Sequence, residues 1–301
     1  MRKEALDFIE EMVIRDDEVC VVGSDLGSGT FSRTLESHPE RVLMEGIAEQ
    51  HIIGFSAGLS ANGFYPIVHT IATFLTRRCY EQIAIDLAQQ ELPALLVGAG
   101  GGLVYAPLGP THQATDDFAL MTNIPGMHIF APADPMEVTE IIELCVRERR
   151  LAYIRLGRGG EPNVTHKMSH TNGSLTKTFG TEETYTIFCT GTLLHEVLEA
   201  HQLLKDDGIC GKVVHVPHLN EISSEKFDFS STTRGNIFVV EEHIPIGGLS
   251  TRIQNLLGTG TFLHLRHLSN SYSENYGSQK DHWSKLGFKA DQISSWVRSK
   301  L

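Results

Sequence analysis

Residues 19–23 (VCVVG) form a short apolar run that breaks at Ser24, Asp25 and a glycine-rich turn. Comparable runs recur at 66–69, 94–99, 127–131 and 152–156. At that length, set between longer periodic stretches, they predict buried strands. Apolar residues fall at helical spacing over 46–61, 75–89 and 134–148. Asp134-Pro135 opens the last of these, a side-chain cap followed by proline at the first helical position. Strands alternating with helices predict a parallel sheet covered on both faces.

Over 157–175 (GRGGEPNVTHKMSHTNGSL) the periodicity stops, and Gly, Asn, Ser, Thr and His take over. A second alternating pattern follows, with strands at 185–190, 212–216, 236–241 and 261–265 and helices near 192–205, 247–257 and 290–299. The predicted fold is α/β with two domains, each a mainly parallel sheet covered by helices. The first spans 1–160, a linker spans 161–178, and the second, smaller domain spans 179–301.

A chain of 301 residues, 41% hydrophobic and 21% charged, can bury a core in each domain. Its net charge of −12 argues against nucleic acid and against anionic membranes as partners. A local basic pocket can still hold an anionic small substrate. The opening segment, MRKEALDFIEEMV, has helical spacing and lacks the apolar core of a secretory signal. No stretch approaches a membrane span. The five cysteines are scattered without a CxxC pair, which predicts reduced, mostly core residues of a cytoplasmic protein.

Three stretches carry candidate chemistry. In Glu45-Gly-Ile-Ala-Glu49-Gln-His51, followed by a helix rich in small residues, Glu49 falls in the first helical turn. It is either a solvated capping glutamate or a buried functional carboxyl with a raised pKa. In Pro66-Ile-Val-His69-Thr-Ile-Ala-Thr73-Phe74-Leu-Thr-Arg77-Arg78-Cys79-Tyr80, a strand runs into a helix. Phe74 then lies near the carboxyl end of the sheet, where open parallel sheets bind ligands. Phe74 and Tyr80 as plain core aromatics is the competing reading. Leu108-Gly-Pro-Thr-His112-Gln113 reads as a tight turn opening a helix, with His112 a turn residue or a hydrogen-bond donor to a ligand. Gly98-Ala-Gly-Gly-Gly102-Leu103 fails the dinucleotide fingerprint at its sixth position and reads as the flexible end of a strand.

GIAEQH with its small-residue helix, then P-I-V…T-F-L-T-R…Y-E-Q, then GPTHQ, in this order and at these spacings, resembles the pyrimidine-binding domain of the transketolase family. Val239-Val-Glu-Glu242 with Gly247-Gly248 is similar to the family's C-terminal domain, so the resemblance runs from about residue 19 to the end. GIAEQH is nearest the deoxyxylulose-phosphate synthase branch and GPTHQ nearest transketolase itself. The Gly-Asp-Gly motif with which the family binds the cofactor's diphosphate through a metal has no match here. The resemblance therefore implies one half of a split, thiamine-diphosphate-dependent transferase. Its partner, an N-terminal transketolase subunit, would hold the diphosphate and a Mg2+ or Ca2+ ion, in an α2β2 heterotetramer.

By that resemblance, Glu49 hydrogen-bonds the cofactor's pyrimidine, and Phe74, Arg77, Tyr80 and Asp25 complete the cofactor site. His112 contacts the reacting oxygens, Arg158 binds a substrate phosphate, and His69 lines the substrate site. A linker salt bridge is the competing reading of Arg158. Three positions depart from transketolase: Gly100 replaces a phosphate-binding histidine, Leu108 replaces an aspartate that reads a sugar hydroxyl, and Arg77, as in the synthase branch, stands where many transketolases have an aromatic residue. The implied reaction is two-carbon ketol transfer between sugars or sugar phosphates, with an altered sugar as the donor. The rivals are the β-subunit of a 2-oxo acid dehydrogenase E1, a deoxyxylulose-phosphate-synthase-like carboligase, and a non-catalytic scaffold subunit.

Overall fold

Strands without polar alternation demand cover on both faces. In the computed structural model, which describes residues 1–24, 30–165, 175–180, 184–222, 236–258, 262–272 and 276–301, they receive it. The N-terminal unit holds β1 (Val19–Gly23), β2 (Val42–Met44), β3 (Tyr65–Ile71), β4 (Leu95–Ala99), β5 (His128–Phe130) and β6 (Ala152–Leu156). They form one sheet in the order β2-β1-β3-β4-β6-β5, every pair parallel. One face packs Val21, Ile67, Val97 and Ile154 against α1 (Arg2–Arg15) and α6 (Pro135–Glu148). The other packs Val22, Val68, Leu96 and Tyr153 against α3 (Glu49–Ala61), the helical segment 74–88 and α5 (Asp117–Thr122). A short α2 (Ser32–Ser37) leads towards β2.

Asp134 caps α6 by accepting the amide of Glu137 at 3.0 Å. Its other oxygen accepts from the amides of Val164 and Thr165, at 2.8 and 2.6 Å, which pins the chain as it leaves the first unit. The helix read from 46 starts at Glu49, because Gly46 adopts a left-handed φ of +69°. The segment read as one helix over 75–89 is a short α-helical turn, α4 (Tyr80–Gln82), between two π-helical stretches, Phe74–Arg78 and Ile83–Ala88. Wider π turns concentrate at functional sites.

The second unit orders its strands β11-β10-β8-β9-β7. These are β7 (Lys177–Gly180), β8 (Thr186–Cys189), β9 (Lys212–His215), β10 (Ile237–Val240) and β11 (Leu263–Arg266). All pairs are parallel except β7 with β9, so the edge strand is antiparallel. Its helices are α7 (Leu194–Asp206), α8 (Leu249–Leu257), α9 (Gln279–Leu286) and α10 (Ala290–Arg298). Among the described residues, no helix is long and apolar enough to cross a membrane.

The two units share buried charge. Arg155, on β6, donates from Nε to Asp117 at 2.8 Å and from Nη2 to the other carboxylate oxygen. Its remaining donors go to the carbonyls of Ala114 and Glu242, both at 3.0 Å. Tyr153 donates to Asp117 at 2.7 Å. Burial alone would raise the Asp117 carboxyl, but the Arg155 charge and hydrogen bonds outweigh it and hold it below its ordinary value. Asp117 and Arg155 both belong to the first unit, and the bond from Arg155 to the Glu242 carbonyl carries the cluster to the second; a buried pair that itself crosses is Glu137 on α6 with His215 on β9 at 2.8 Å. Residues 217–219 cover the open edge of β5, with Ala131 and Leu219 amides donating across at 2.8 and 2.9 Å.

Removing one member of a buried ion pair strands the other charge. Asp117→Asn is expected to cost about 3–5 kcal/mol in urea unfolding. Asp117→Leu with Arg155→Met together should lose less than the single change. A single-variant loss under about 1 kcal/mol would show the pair to be dispensable.

Candidate active site

Parallel strands end together, so the loops at their carboxyl edge converge. Beyond β2, Glu49 opens α3, where a carboxylate is favoured by the helix dipole. It is 2% exposed and accepts a hydrogen bond from Arg78 Nη1 at 2.5 Å. The Arg78 guanidinium also lies over the Phe74 ring, 4.4 Å from its centroid. Phe74 in turn meets the His112 ring edge-on, with centroids 5.1 Å apart. Glu49, Arg78, Phe74 and His112 therefore border one space, although they come from three separate segments.

His112 sits on a loop closed at its base, where the Gly102 amide donates to the Ala114 carbonyl at 3.0 Å. The loop does not open a helix at His112 as the sequence suggests. It makes a 3-10 turn at Pro110–His112, extends through Gln113, and α5 begins only at Asp117. Thr111 Oγ1 faces His112 Nδ1 at 2.9 Å, which leaves Nε2 for a ligand. The glycine run before it is not a flexible strand end. A Cβ on Gly100 would stand 2.1 Å from Tyr105, one on Gly101 2.0 Å from Arg155, and one on Gly102 2.6 Å from Glu242. Gly100 also has a φ of +78°, so a histidine is sterically excluded there while Tyr105 holds its place. Leu108 is 55% exposed.

Arg77 turns to the rim. Its Nε reaches both Asp116 carboxylate oxygens at 2.9 and 3.0 Å, and Nη2 reaches the Gln113 carbonyl at 3.1 Å. Tyr80 is half-buried and packs on the core beneath α3. Asp25 lies outside the described residues. His69 is fully buried on the opposite face of the sheet from α3, and among the described residues neither ring nitrogen has a partner. Burial, with the nearby Arg2 charge, pushes its pKa down to about 3.

Arg158 is exposed in a separate cleft of 1030 Å³, which Arg2, Lys3 and Arg33 also line, together with Glu4, Asp7, Glu10 and Glu11. Lys3 is neutralised by Asp7 at 2.6 Å and Arg33 by Glu10 at 2.7 Å. Among the described residues, Arg2 and Arg158 have no ion-pair partner. Sequence reasoning missed Arg2 and Arg78. The doubled arginine at 77 and 78 was the available signal for Arg78; nothing in the order of residues marked Arg2. Glu241 and Glu242, matched only as part of a family segment, are structural. Glu241 accepts from the Leu249 and Ser250 amides at the start of α8, at 2.7 and 3.1 Å. Glu242 accepts from Leu103 N of the first unit at 3.1 Å and, within its own unit, from Gln279 at 3.0 Å and Trp283 at 2.8 Å.

This layout has known counterparts. Residues 1–162 match the family description "Transketolase, pyrimidine binding domain", and residues 179–293 match "Transketolase, C-terminal domain". The chain belongs to the transketolase family and has the layout of the C-terminal half of a split transketolase. It is 29% identical over 263 residues to one of the subunits of apulose-4-phosphate transketolase from Phocaeicola vulgatus, covering 85% of this chain and 83% of that protein. It is 28% identical over 271 residues to the 6-deoxy-6-sulfo-D-fructose transketolase subunit SqwH of a Clostridium species, covering 89% and 84%. A solved structure titled "Split gene transketolase, inactive beta4 tetramer" superposes with a TM-score of 0.85 at 27% identity, covering 100% of this chain and 97% of that one.

The neutral, buried His69 makes a pH prediction. In the unfolded chain a histidine takes up a proton near pH 6.5, whereas folded His69 resists until about pH 3. The unfolded state therefore binds more protons as pH falls below 6.5, and stability drops by up to about 1.4 kcal/mol per pH unit. Urea midpoints at pH 7, 6 and 5 should converge between the wild-type chain and His69→Gln as pH falls. Parallel curves would contradict the assignment.

Proposed function

We propose that this chain supplies the catalytic carboxyl and the aminopyrimidine pocket of a thiamine-diphosphate-dependent transketolase. The enzyme would transfer a two-carbon ketol unit between sugars that carry an anionic terminus. The observation that carries this reading is Arg78, which touches both Glu49 and Phe74. A buried carboxyl and an aromatic ring thus flank one small space, and a flat heteroaromatic with a ring nitrogen fits that pair. When bound, the cofactor supplies the carbanion chemistry; the protein orients it. Glu49 shares a proton with the ring nitrogen facing its carboxyl, Phe74 offers the stacking face, and His112 Nε2 meets the reacting oxygens. Arg77, held to Asp116, lines the rim, and Tyr80 supports the segment from beneath.

The cleft at Arg2 and Arg158 suits a substrate's charged end. Two guanidiniums without an ion-pair partner among the described residues can take a phosphate or a sulfonate in charge-assisted hydrogen bonds. The names of the two relatives carry one of each, a sugar 4-phosphate and a 6-deoxy-6-sulfo sugar. His69, beside Arg2 under this cleft, supports it from within the sheet rather than by contact. The diphosphate and its Mg2+ or Ca2+ are assigned to a partner N-terminal subunit in an α2β2 assembly. Both relatives are named as subunits, and the split-gene neighbour's β4 tetramer is titled inactive.

In the reconstituted complex, Glu49→Gln should lower ketol transfer by at least ~10²-fold, in line with general acid–base contributions, with assembly unchanged in sedimentation. Near-normal turnover would make Glu49 structural. Arg2→Gln and Arg158→Gln should each raise KM for a phosphorylated donor about tenfold at constant kcat, with no effect on its dephosphorylated analogue. Equal losses on both donors would place the anionic end elsewhere.

A further inference from the structure

Arg77 and Arg78 are neighbours in sequence and opposite in constraint. Arg77 is fixed by both carboxylate oxygens of Asp116 and by the Gln113 carbonyl. Arg78 is held by Glu49 and the Phe74 face, and its side chain is 43% exposed. Those two contacts are the ones an aminopyrimidine would make. A carboxylate only 2% exposed is costly to leave without a counter-charge, so the unloaded chain needs a cation at Glu49. A guanidinium centred 4.4 Å above Phe74 leaves no room for a second group on that face. Because Arg78 already reaches water, it can swing outward with little further desolvation.

We propose that Arg78 is a displaceable counter-ion that keeps the pyrimidine site closed, neutralising Glu49 and covering Phe74 until an aminopyrimidine ring takes both contacts from it. The proposal rests on the assignment of Glu49 and Phe74 to the cofactor. It makes cofactor binding an exchange: one cation leaves for solvent as the heteroaromatic ring arrives with the proton it shares with Glu49. The sequence pair at 77 and 78 then divides two tasks, a fixed arginine that shapes the rim and a mobile one that guards the site.

The test is calorimetry of thiamine diphosphate on the reconstituted complex, for the wild type, Arg78→Met, Glu49→Gln and the double variant. Arg78→Met should bind about tenfold more tightly, since the competing cation is gone. That gain should shrink below about threefold in the Glu49→Gln background, because the ion pair is already broken. Unchanged or weaker binding by Arg78→Met would overturn the proposal and make Arg78 a cofactor-holding or merely structural residue. An Arg78→Lys variant, which keeps the charge, should bind within about threefold of the wild type, and a tenfold gain there would also overturn it. The Arg78 Nε–H resonance gives a second reading on the wild-type complex. It should move to a solvent-exposed value when cofactor is added; a signal that stays paired contradicts displacement. The parent assignment fails separately, if Glu49→Gln retains turnover whatever Arg78 does.

Discussion

A full positive and a full negative charge meet out of water where Arg155 grips Asp117. Such a pair survives only when its remaining donors and acceptors are also satisfied. Here they are, by Tyr153, by the Ala114 carbonyl and by the Glu242 carbonyl. Phe118 is flanked by the Arg155 guanidinium, 3.8 Å from its ring centroid, and by the His243 ring at 5.1 Å. The cluster joins the last strand laid into the first sheet, the start of α5, the base of the loop carrying His112, and the segment after β10. The position of His112 against Phe74 thus depends on a contact between the two units. The second unit is a wall of the first unit's loop, not an appendage.

Charge near the functional edge follows the same rule of local pairing. The chain is acidic overall, at −12, yet this edge presents guanidiniums. Most cations near it already face carboxylates. Lys3, Arg33, Arg77 and Arg78 have carboxylate partners, and among the described residues what remains is the Arg2 and Arg158 pair in the cleft. Local compensation, rather than net charge, decides where an anion binds.

Much of this was legible in the sequence. The strand and helix alternation predicts two α/β units because fully buried parallel strands must be unbroken apolar runs. Glu49, Phe74 and His112 stand together in space as their motifs suggest. Three things were hidden. The π-helical turns around Tyr80 keep the apolar period of an α-helix closely enough to read as one. The glycines at 98–102 look like a flexible tail, because what requires them is the Tyr105, Arg155 and Glu242 side chains arriving from elsewhere in the chain. Arg2, far from the motifs in sequence, reaches the functional edge only because α1 packs beneath the sheet beside His69.

The central claim is that the Glu49 carboxyl, in the space it shares with Phe74, drives proton removal from the cofactor. Deuterium exchange at the thiazolium C2 position, followed by quenched NMR in the assembled complex, reads that step without any sugar present. The account predicts exchange slowed by at least ~10²-fold in Glu49→Gln relative to wild type, with cofactor still bound. Equal exchange rates in the two proteins would contradict it.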